Sequence, residues 1–258
     1  MKLYYKDGWC TVTQGDCLEV MAKMAEKGLK FDAVITDPPY GTTACKWDVI
    51  IPFDKMWEQI HNLKKDRSPI LLFGSEPFSS LLRTSNLKEF KYDWIWNKVQ
   101  GTGFSICKIQ PMKNHEIISV FGKVINYFPQ MEKRDKEIDA RNWKMSKLHS
   151  ENGNFSSTDI SQTQKIYTEK YPNSIITFHK SAKECNNTNR VHPTQKPLDL
   201  LEYLIATYTN EGDTILDFTC GSGTTLVAAK KLRRRCYGIE TEEKYCEITR
   251  NRLMEITR

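Results

Sequence analysis

Four consecutive residues, Asp37-Pro38-Pro39-Tyr40, join a carboxylate, a backbone stiffened by two prolines and an aromatic face. That set can hold and orient an amine. The four follow the apolar run Phe31-Asp32-Ala33-Val34-Ile35-Thr36. A second group, Asp217-Phe218-Thr219-Cys220-Gly221-Ser222-Gly223, follows Thr214-Ile215-Leu216. Gly221 and Gly223 permit a sharp turn and a close backbone approach to a ligand. A further acid, Glu240, closes the run Cys236-Tyr237-Gly238-Ile239. Each group stands where a buried strand stops at a loop. In open parallel α/β sheets, ligands bind beyond the carboxyl ends of the strands. The pattern predicts a cofactor site beside a reaction site.

These strand ends need elements to hold them. Trp9 to Gln14 alternates as a strand, and Leu18 to Lys27 reads as a helix with Leu18, Met21, Ala22 and Ala25 on one face. Phe53 to Leu63 is a helix, Ile70 to Phe73 a buried strand, and Pro77 to Arg83 starts another helix with proline in its first turn. Tyr92 to Trp96 and His115 to Phe121 read as strands. Leu198 to Ile205 and Thr224 to Leu232 are helices, and Tyr245 to Ile256 closes the chain as a helix. Alternating strands and helices predict a doubly wound, mostly parallel α/β sheet. From 126 to 170 the apolar periodicity fades; Met131 to Glu137 is a mixed charge run, and Ser150 to Gln164 reads as a loop. The organisation expected is a first half over 1–125, an insertion over 126–185 and a second half over 186–258.

Bulk properties narrow the classes. A chain of 258 residues suits one large α/β domain with an insertion. Charged residues make up 27% and hydrophobic ones 39%, as in a soluble globular protein. A net charge of +6 fits a polyanionic partner, and equally an ordinary enzyme with surplus lysines. None of the eight cysteines forms a Cys-x-x-Cys pair, and the histidines show no metal spacing, so no metal is expected. No signal peptide or apolar run of about 18 residues is visible, which predicts a cytoplasmic protein with reduced thiols and no membrane partner. The glycine turn is not a P-loop, since no Gly-Lys-Ser/Thr follows, and Thr224 or Thr225 replaces the last glycine of a dinucleotide fingerprint.

Asp37-Pro38-Pro39-Tyr40 together with Phe218-x-x-Gly221-x-Gly223 resembles the amino-group DNA methyltransferases, which act on adenine N6 or cytosine N4. The reaction motif precedes the cofactor motif, as in the β class of that family. The resemblance spans roughly residues 8–125 and 175–255. It implies a Rossmann-like fold with an inserted target-recognition region, S-adenosylmethionine as cofactor and DNA as substrate. It assigns Glu240 to the cofactor's ribose, with a helix N-terminal acid as the alternative. It sets Asp16 near the adenine amine, with a plain N-cap as the alternative. Asp217 matches the acid near the methionine amino group, and Lys196 and Thr194 match residues at the methionine end.

Methylating an exocyclic amine needs no covalent nucleophile. The nitrogen lone pair is delocalised into the ring, and acceptors for its N–H bonds favour a pyramidal, reactive nitrogen. The Asp37 carboxylate and the Pro38 carbonyl are the candidate acceptors, and Tyr40 is the candidate stacking face for a base flipped from its duplex. Cytosine C5 methylation in related families uses a Pro-Cys nucleophile, and none of the ten prolines precedes a cysteine. Members acting on cytosine N4 more often carry serine where Asp37 stands, which favours adenine. Cytosine N4 methylation and a catalytically silent DNA-binding homologue remain the alternatives. Residues Gly41 to Asp48 form a candidate closing loop, with Trp47 either in it or in the core. Lys133, Arg134, Arg141, Lys144 and Lys147 are candidate phosphate contacts or a solvated face. The class further implies a homodimer and a cognate restriction enzyme.

Overall fold

The computed structural model describes residues 1–43, 45, 47–139, 166–179 and 195–256. In chain order the elements are β1 (Lys2–Lys6), β2 (Cys10–Gln14), α1 (Cys17–Glu26), β3 (Ala33–Thr36), α2 (Phe53–Leu63), β4 (Ile70–Gly74) and α3 (Phe78–Ser85). Then come β5 (Phe90–Thr102), β6 (Lys113–Phe121), β7 (Glu132–Asp139), β8 (Ile166–Lys170) and β9 (Ile175–Thr177). The chain ends with α4 (Leu198–Tyr208), β10 (Thr214–Asp217), α5 (Thr224–Lys231), β11 (Arg235–Glu240) and α6 (Glu243–Glu255).

Nine strands form one sheet in the order β1-β2-β11-β10-β3-β4-β6-β5-β9. The run from β2 to β4 is parallel throughout. β1, β6 and β5 add antiparallel pairs at its flanks, and β9 runs parallel to β5. This is the Rossmann-like, mostly parallel α/β sheet that the motifs predict. Successive residues of one strand enter opposite apolar layers, as a period of two demands. Ile35, Leu71 and Ile215 pack with Leu201, Leu204, Leu226 and Leu253 of α4, α5 and α6. Val34, Leu72 and Leu216 pack with Val20, Met21, Met56, Ile60 and Leu82 of α1, α2 and α3. Burying each such side chain contributes about 1.5–3 kcal/mol, which fixes strand register and therefore where each strand ends.

Several elements depart from the sequence reading, β8 and β9 among them, since 126–185 reads as an insertion without strands. β1 has lysines at both ends and no apolar run, yet it pairs with β2, where charge suits an unpaired sheet edge. β5 continues past Trp96 to Thr102. The charge run beginning at Met131 becomes β7, which pairs antiparallel with β8, since a backbone ladder needs no apolar face. These two strands lie in a compact unit of their own, Pro129–Asn173; Met1–Phe128 and Ser174–Arg258 make the other. The stretch Ser150 to Gln164 lies outside the described residues. Among the described residues no helix is long and apolar enough to cross a membrane.

Candidate active site

β3 and β10 are neighbours, with Ala33 facing Ile215 and Val34 facing Leu216. The register brings the ends of the two motif strands side by side. A polar ladder then ties them together. The Asp217 Oδ1 and Thr36 Oγ1 atoms lie 2.6 Å apart, and Thr36 Oγ1 lies 2.7 Å from Thr219 Oγ1. The Thr219 hydroxyl donates to the Asp37 carbonyl at 3.0 Å. The Thr36 hydroxyl donates to the Asp217 side chain. Burial pushes the Asp217 carboxyl up to about 6, against hydrogen bonds from Thr225, Thr36 and the Thr219 amide.

The Asp37 side chain has partners on both oxygens. The Tyr40 hydroxyl donates to Oδ1 at 2.5 Å, and the Lys196 ammonium donates to Oδ2 at 2.5 Å. Lys196 also lies 3.3 Å from Glu116 Oε2, and Lys98 donates to Glu116 Oε1 at 3.2 Å. Burial raises the Asp37 carboxyl, outweighing the neighbouring Lys196 charge. Lys196 is also buried, but the Asp37 and Glu116 charges hold its ammonium above the ordinary lysine value. Glu116 resists its own burial because Lys196 and Lys98 flank it, and its carboxyl is held low. The Tyr40 ring stacks on Phe78 with centroids 5.1 Å apart. Burial and the Asp37 charge push its phenol well above the usual range.

Asp48 holds the loop after Tyr40. Its carboxylate accepts the backbone N–H groups of Tyr40, Gly41, Thr42 and Thr43 at 2.7–2.9 Å. Burial opposes ionisation there, but those hydrogen bonds keep its carboxyl below the ordinary range. The predicted closing loop is thus anchored beside the reaction motif, with Trp47 on the wall of the same cavity.

On the cofactor side, Gly221 and Gly223 take left-handed φ of 52° and 77°. α6 clamps this turn. Thr249 Oγ1 donates to the Gly221 carbonyl at 3.0 Å, and Arg252 Nη1 donates to the Ser222 carbonyl at 2.6 Å. Glu240 ends β11 facing the turn: Oε2 accepts Gly221 N–H at 2.9 Å and Oε1 accepts Glu242 N–H at 2.9 Å. Burial raises the Glu240 carboxyl despite these bonds. Asp16 caps α1, with Oδ1 accepting from Leu18 and Glu19 N–H. Phe218 is buried in the layer with α1 and α2.

One cavity of about 580 Å³ gathers these groups, a size typical of small-molecule sites. Its wall includes Asp16, Asp37, Pro38, Pro39, Tyr40, Lys196, Asp217, Phe218, Gly221 and Glu240. Of the catalytic and cofactor residues read from the sequence, the described ones other than Gly223 line it, and Gly223 shapes the turn from behind. Sequence reasoning missed Thr36, Asp48, Glu116, Thr249 and Arg252. The one legible signal was Glu116, a lone acid at the mouth of the apolar run Ile117-Ile118. Thr194, Arg141, Lys144 and Lys147 lie outside the described residues. Among the described residues no cluster of three or more His, Cys, Asp or Glu could hold a metal ion.

Comparison with known proteins gives a consistent family. M.HpaI of Haemophilus parainfluenzae, a type II methyltransferase, is 28% identical over 241 residues, covering 86% of this chain and 68% of that protein. M2.MboI of Moraxella bovis, also a type II methyltransferase, is 27% identical over 253 residues, covering 95% and 88%. M2.DpnII of Streptococcus pneumoniae reaches 58% identity, but over 62 residues, 24% of this chain and 23% of that protein. Among solved structures, the M1.HpyAVI–SAM complex superposes with a TM-score of 0.61 at 24% identity, covering 95% of this chain and 98% of that one. The cytosine-N4-specific PvuII DNA methyltransferase gives 0.63 at 16% identity, covering 99% and 91%. Both structural likenesses bear on fold. A family model described as DNA methylase, covering N6 and N4 enzymes, matches residues 31–251, and the chain belongs to that DNA methylase family.

Proposed function

We propose that the protein transfers a methyl group from S-adenosylmethionine to N6 of an adenine flipped out of duplex DNA. The observation that carries this reading is the pairing of strand ends: the Asp37 carbonyl and the Asp217 side chain belong to one hydrogen-bonded ladder beside one cavity. A methyl donor and an amine acceptor need that adjacency, because direct displacement requires the two reacting atoms nearly in contact.

The residues present fit this cofactor. Its amino and sulfonium groups are cationic, and the cavity wall carries Asp16, Asp217 and Glu240. Glu240 Oε2 accepts the Gly221 N–H and retains a lone pair for one ribose hydroxyl; Oε1 accepts the Glu242 N–H and the Thr241 hydroxyl, and a second ribose hydroxyl would take the place of the latter. Asp217 would face the amino group, and the wall at Asp16 the adenine. When bound, S-adenosylmethionine supplies a methyl group activated by positive sulfur. Asp37 and the Pro38 carbonyl accept the N–H bonds of the target amine and stabilise the positive charge that grows on nitrogen. Pro38 and Pro39 hold those acceptors still, and Tyr40, braced by Phe78, gives the base a stacking face. Asp37 favours adenine. Cytosine N4 is the second reading, and the neighbour named cytosine-N4-specific shares the fold.

Glu240→Ala is expected to weaken S-adenosylmethionine binding by about 1.5–3 kcal/mol for each hydrogen bond lost. Calorimetry checks it, and an unchanged dissociation constant removes Glu240 from the site. Asp217 makes cofactor binding depend on pH. Its folded value of about 6 lies above an ordinary aspartate, so its contribution to stability is full at low pH and lost as pH rises through about 6. A cation bound there favours the ionised form. Affinity should therefore rise with pH up to about 6 and level off above it, with proton release on binding below that value. In Asp217→Asn the slope should vanish; a wild-type affinity flat from pH 5 to about 7 would contradict the assignment.

The free thiols of the seven described cysteines fit a cytoplasmic enzyme. A homodimer and a cognate restriction enzyme stay with this proposal as expectations of the class. The direct test incubates the protein with methyl-labelled S-adenosylmethionine and mixed-sequence duplex DNA. Label released by nuclease digestion supports the reading, and label absent from DNA, with cofactor bound, contradicts it.

A further inference from the structure

β5 and β6 form a hairpin that outruns the sheet. β6 runs antiparallel to β4, with Ile117 facing Gly74 at the end of β4, and β4 lies beside β3. The end of β5 and the start of β6 therefore stand at the sheet edge that carries Asp37. Trp96 of β5 and Glu116 of β6 line the cavity. Past Ile117 the paired arm continues to Lys113, which faces Thr102, about 13 Å further out. Lys113 Nζ donates to Ser75 Oγ, and Thr102 Oγ1 donates to the Lys113 carbonyl at 3.0 Å, so the arms are tied to the end of β4 and to each other.

The tip beyond them is folded and apolar. The N–H groups of Ile106, Cys107 and Ile109 donate to the carbonyls of Gly103, Phe104 and Ile106 at 3.0–3.2 Å. This turn holds Phe104 79% exposed and Ile109 82% exposed, with Ile106 and Met112 exposed beside them. Large apolar side chains held out on an ordered turn mark a contact surface. Its charge is of one sign: between Asp93 and Glu116 the chain has three lysines, Lys98, Lys108 and Lys113, and no acid. Lys108 is exposed at the tip. Two copies of such a tip, set together by a two-fold axis, would bring lysine to lysine. A phosphate backbone complements it.

Resting on the methyl-transfer reading above, we propose that this hairpin tip is a wedge that enters the base stack of duplex DNA where the target base leaves it, with Phe104 stacking on the bases beside the gap. A flipped nucleotide keeps its sugar and phosphates in the strand, so the duplex lies within one nucleotide's length of the cavity mouth. An arm that rises from the cavity wall past the strand ends meets the duplex there. Extrusion leaves unstacked faces, which an inserted apolar side chain covers. Lys108 then contacts phosphate, which positions the tip without reading sequence. No covalent bond changes in this step.

The test uses duplexes carrying the methylated sequence mapped from mixed-sequence DNA, in two forms: fully paired, and with an abasic site opposite the target base. On the paired duplex, Phe104→Ala should slow single-turnover methylation by about tenfold or more, the scale of one lost base–aromatic stack. Phe104 lies outside the cavity wall, so cofactor affinity should stay within about twofold. An unpaired target leaves the stack more easily, so on the abasic duplex the deficit should shrink to about threefold or less. A wild-type rate on the paired duplex, or an equal deficit on both duplexes, would overturn the proposal. So would a wild-type dimer that sediments as a monomer in Phe104→Ala, which would give the tip to a second copy of this chain. Wild-type protein that leaves DNA unmethylated would instead defeat the functional reading beneath it.

Discussion

Asp37→Ala is expected to lower the methylation rate by at least about 10³-fold, the upper range for removing one preorganised partner from a growing charge. The acceptor disappears, and so does the negative charge opposite the nitrogen. Cofactor affinity should change little, because the glycine turn and Glu240 are built from β10, β11 and α6 and do not depend on the Asp37 side chain. The fold should survive as well. Lys196 keeps Glu116 at 3.3 Å when Asp37 is gone, so no buried ammonium is stranded. The check is a steady-state rate beside a calorimetric cofactor titration. A variant that methylates at the normal rate would remove Asp37 from the chemistry.

Gly223→Ala is expected to cost about 2–5 kcal/mol of stability and to weaken cofactor binding with it. A Cβ at this position would stand 2.3 Å from Thr249 Cγ2 and 2.7 Å from its Oγ1. The backbone φ of 77° adds strain for any L side chain. Relief would push α6 away from the turn that Thr249 and Arg252 hold. Gly212 supplies the control. It has φ of 85° but open space where a Cβ would go, so Gly212→Ala bears only the backbone strain, about 1–2 kcal/mol. Urea unfolding of the two variants separates clash from strain. Equal losses would mean that the contact with Thr249 yields freely.

The strand ends were legible because short apolar runs stop abruptly at Asp37, Asp217 and Glu240, and β3, β10 and β11 end at or one residue before these acids. α2 was legible over Phe53–Leu63 because its apolar face repeats at helical spacing. What escaped has no periodicity. β7 and β8 pair through a backbone ladder with a Glu132–Lys170 ion pair across it and no apolar face, so their sequence carries no alternating strand signal. Asp48 reads as one polar residue in a loop; its capture of four backbone N–H groups depends on how the loop folds back. Lys196 was placed by resemblance at the cofactor's methionine end. The structure sets its ammonium on Asp37 and near Glu116, a link between β3, β6 and the segment before α4 that no local pattern reports. Asp16 and Glu240 each carried two readings, and the structure shows hydrogen bonds that serve the fold at both while leaving both on the cavity wall.

The central claim is transfer of a methyl group to an exocyclic amine of a DNA base, with Asp37 selecting adenine. The most direct measurement is nucleoside mass spectrometry of mixed-sequence DNA after incubation with the protein and S-adenosylmethionine. N6-methyladenine, absent from the Asp37→Ala reaction, is the predicted result. N4-methylcytosine would keep the mechanism and overturn the choice of base. DNA with no methylated base, from protein shown to bind the cofactor, would contradict the account.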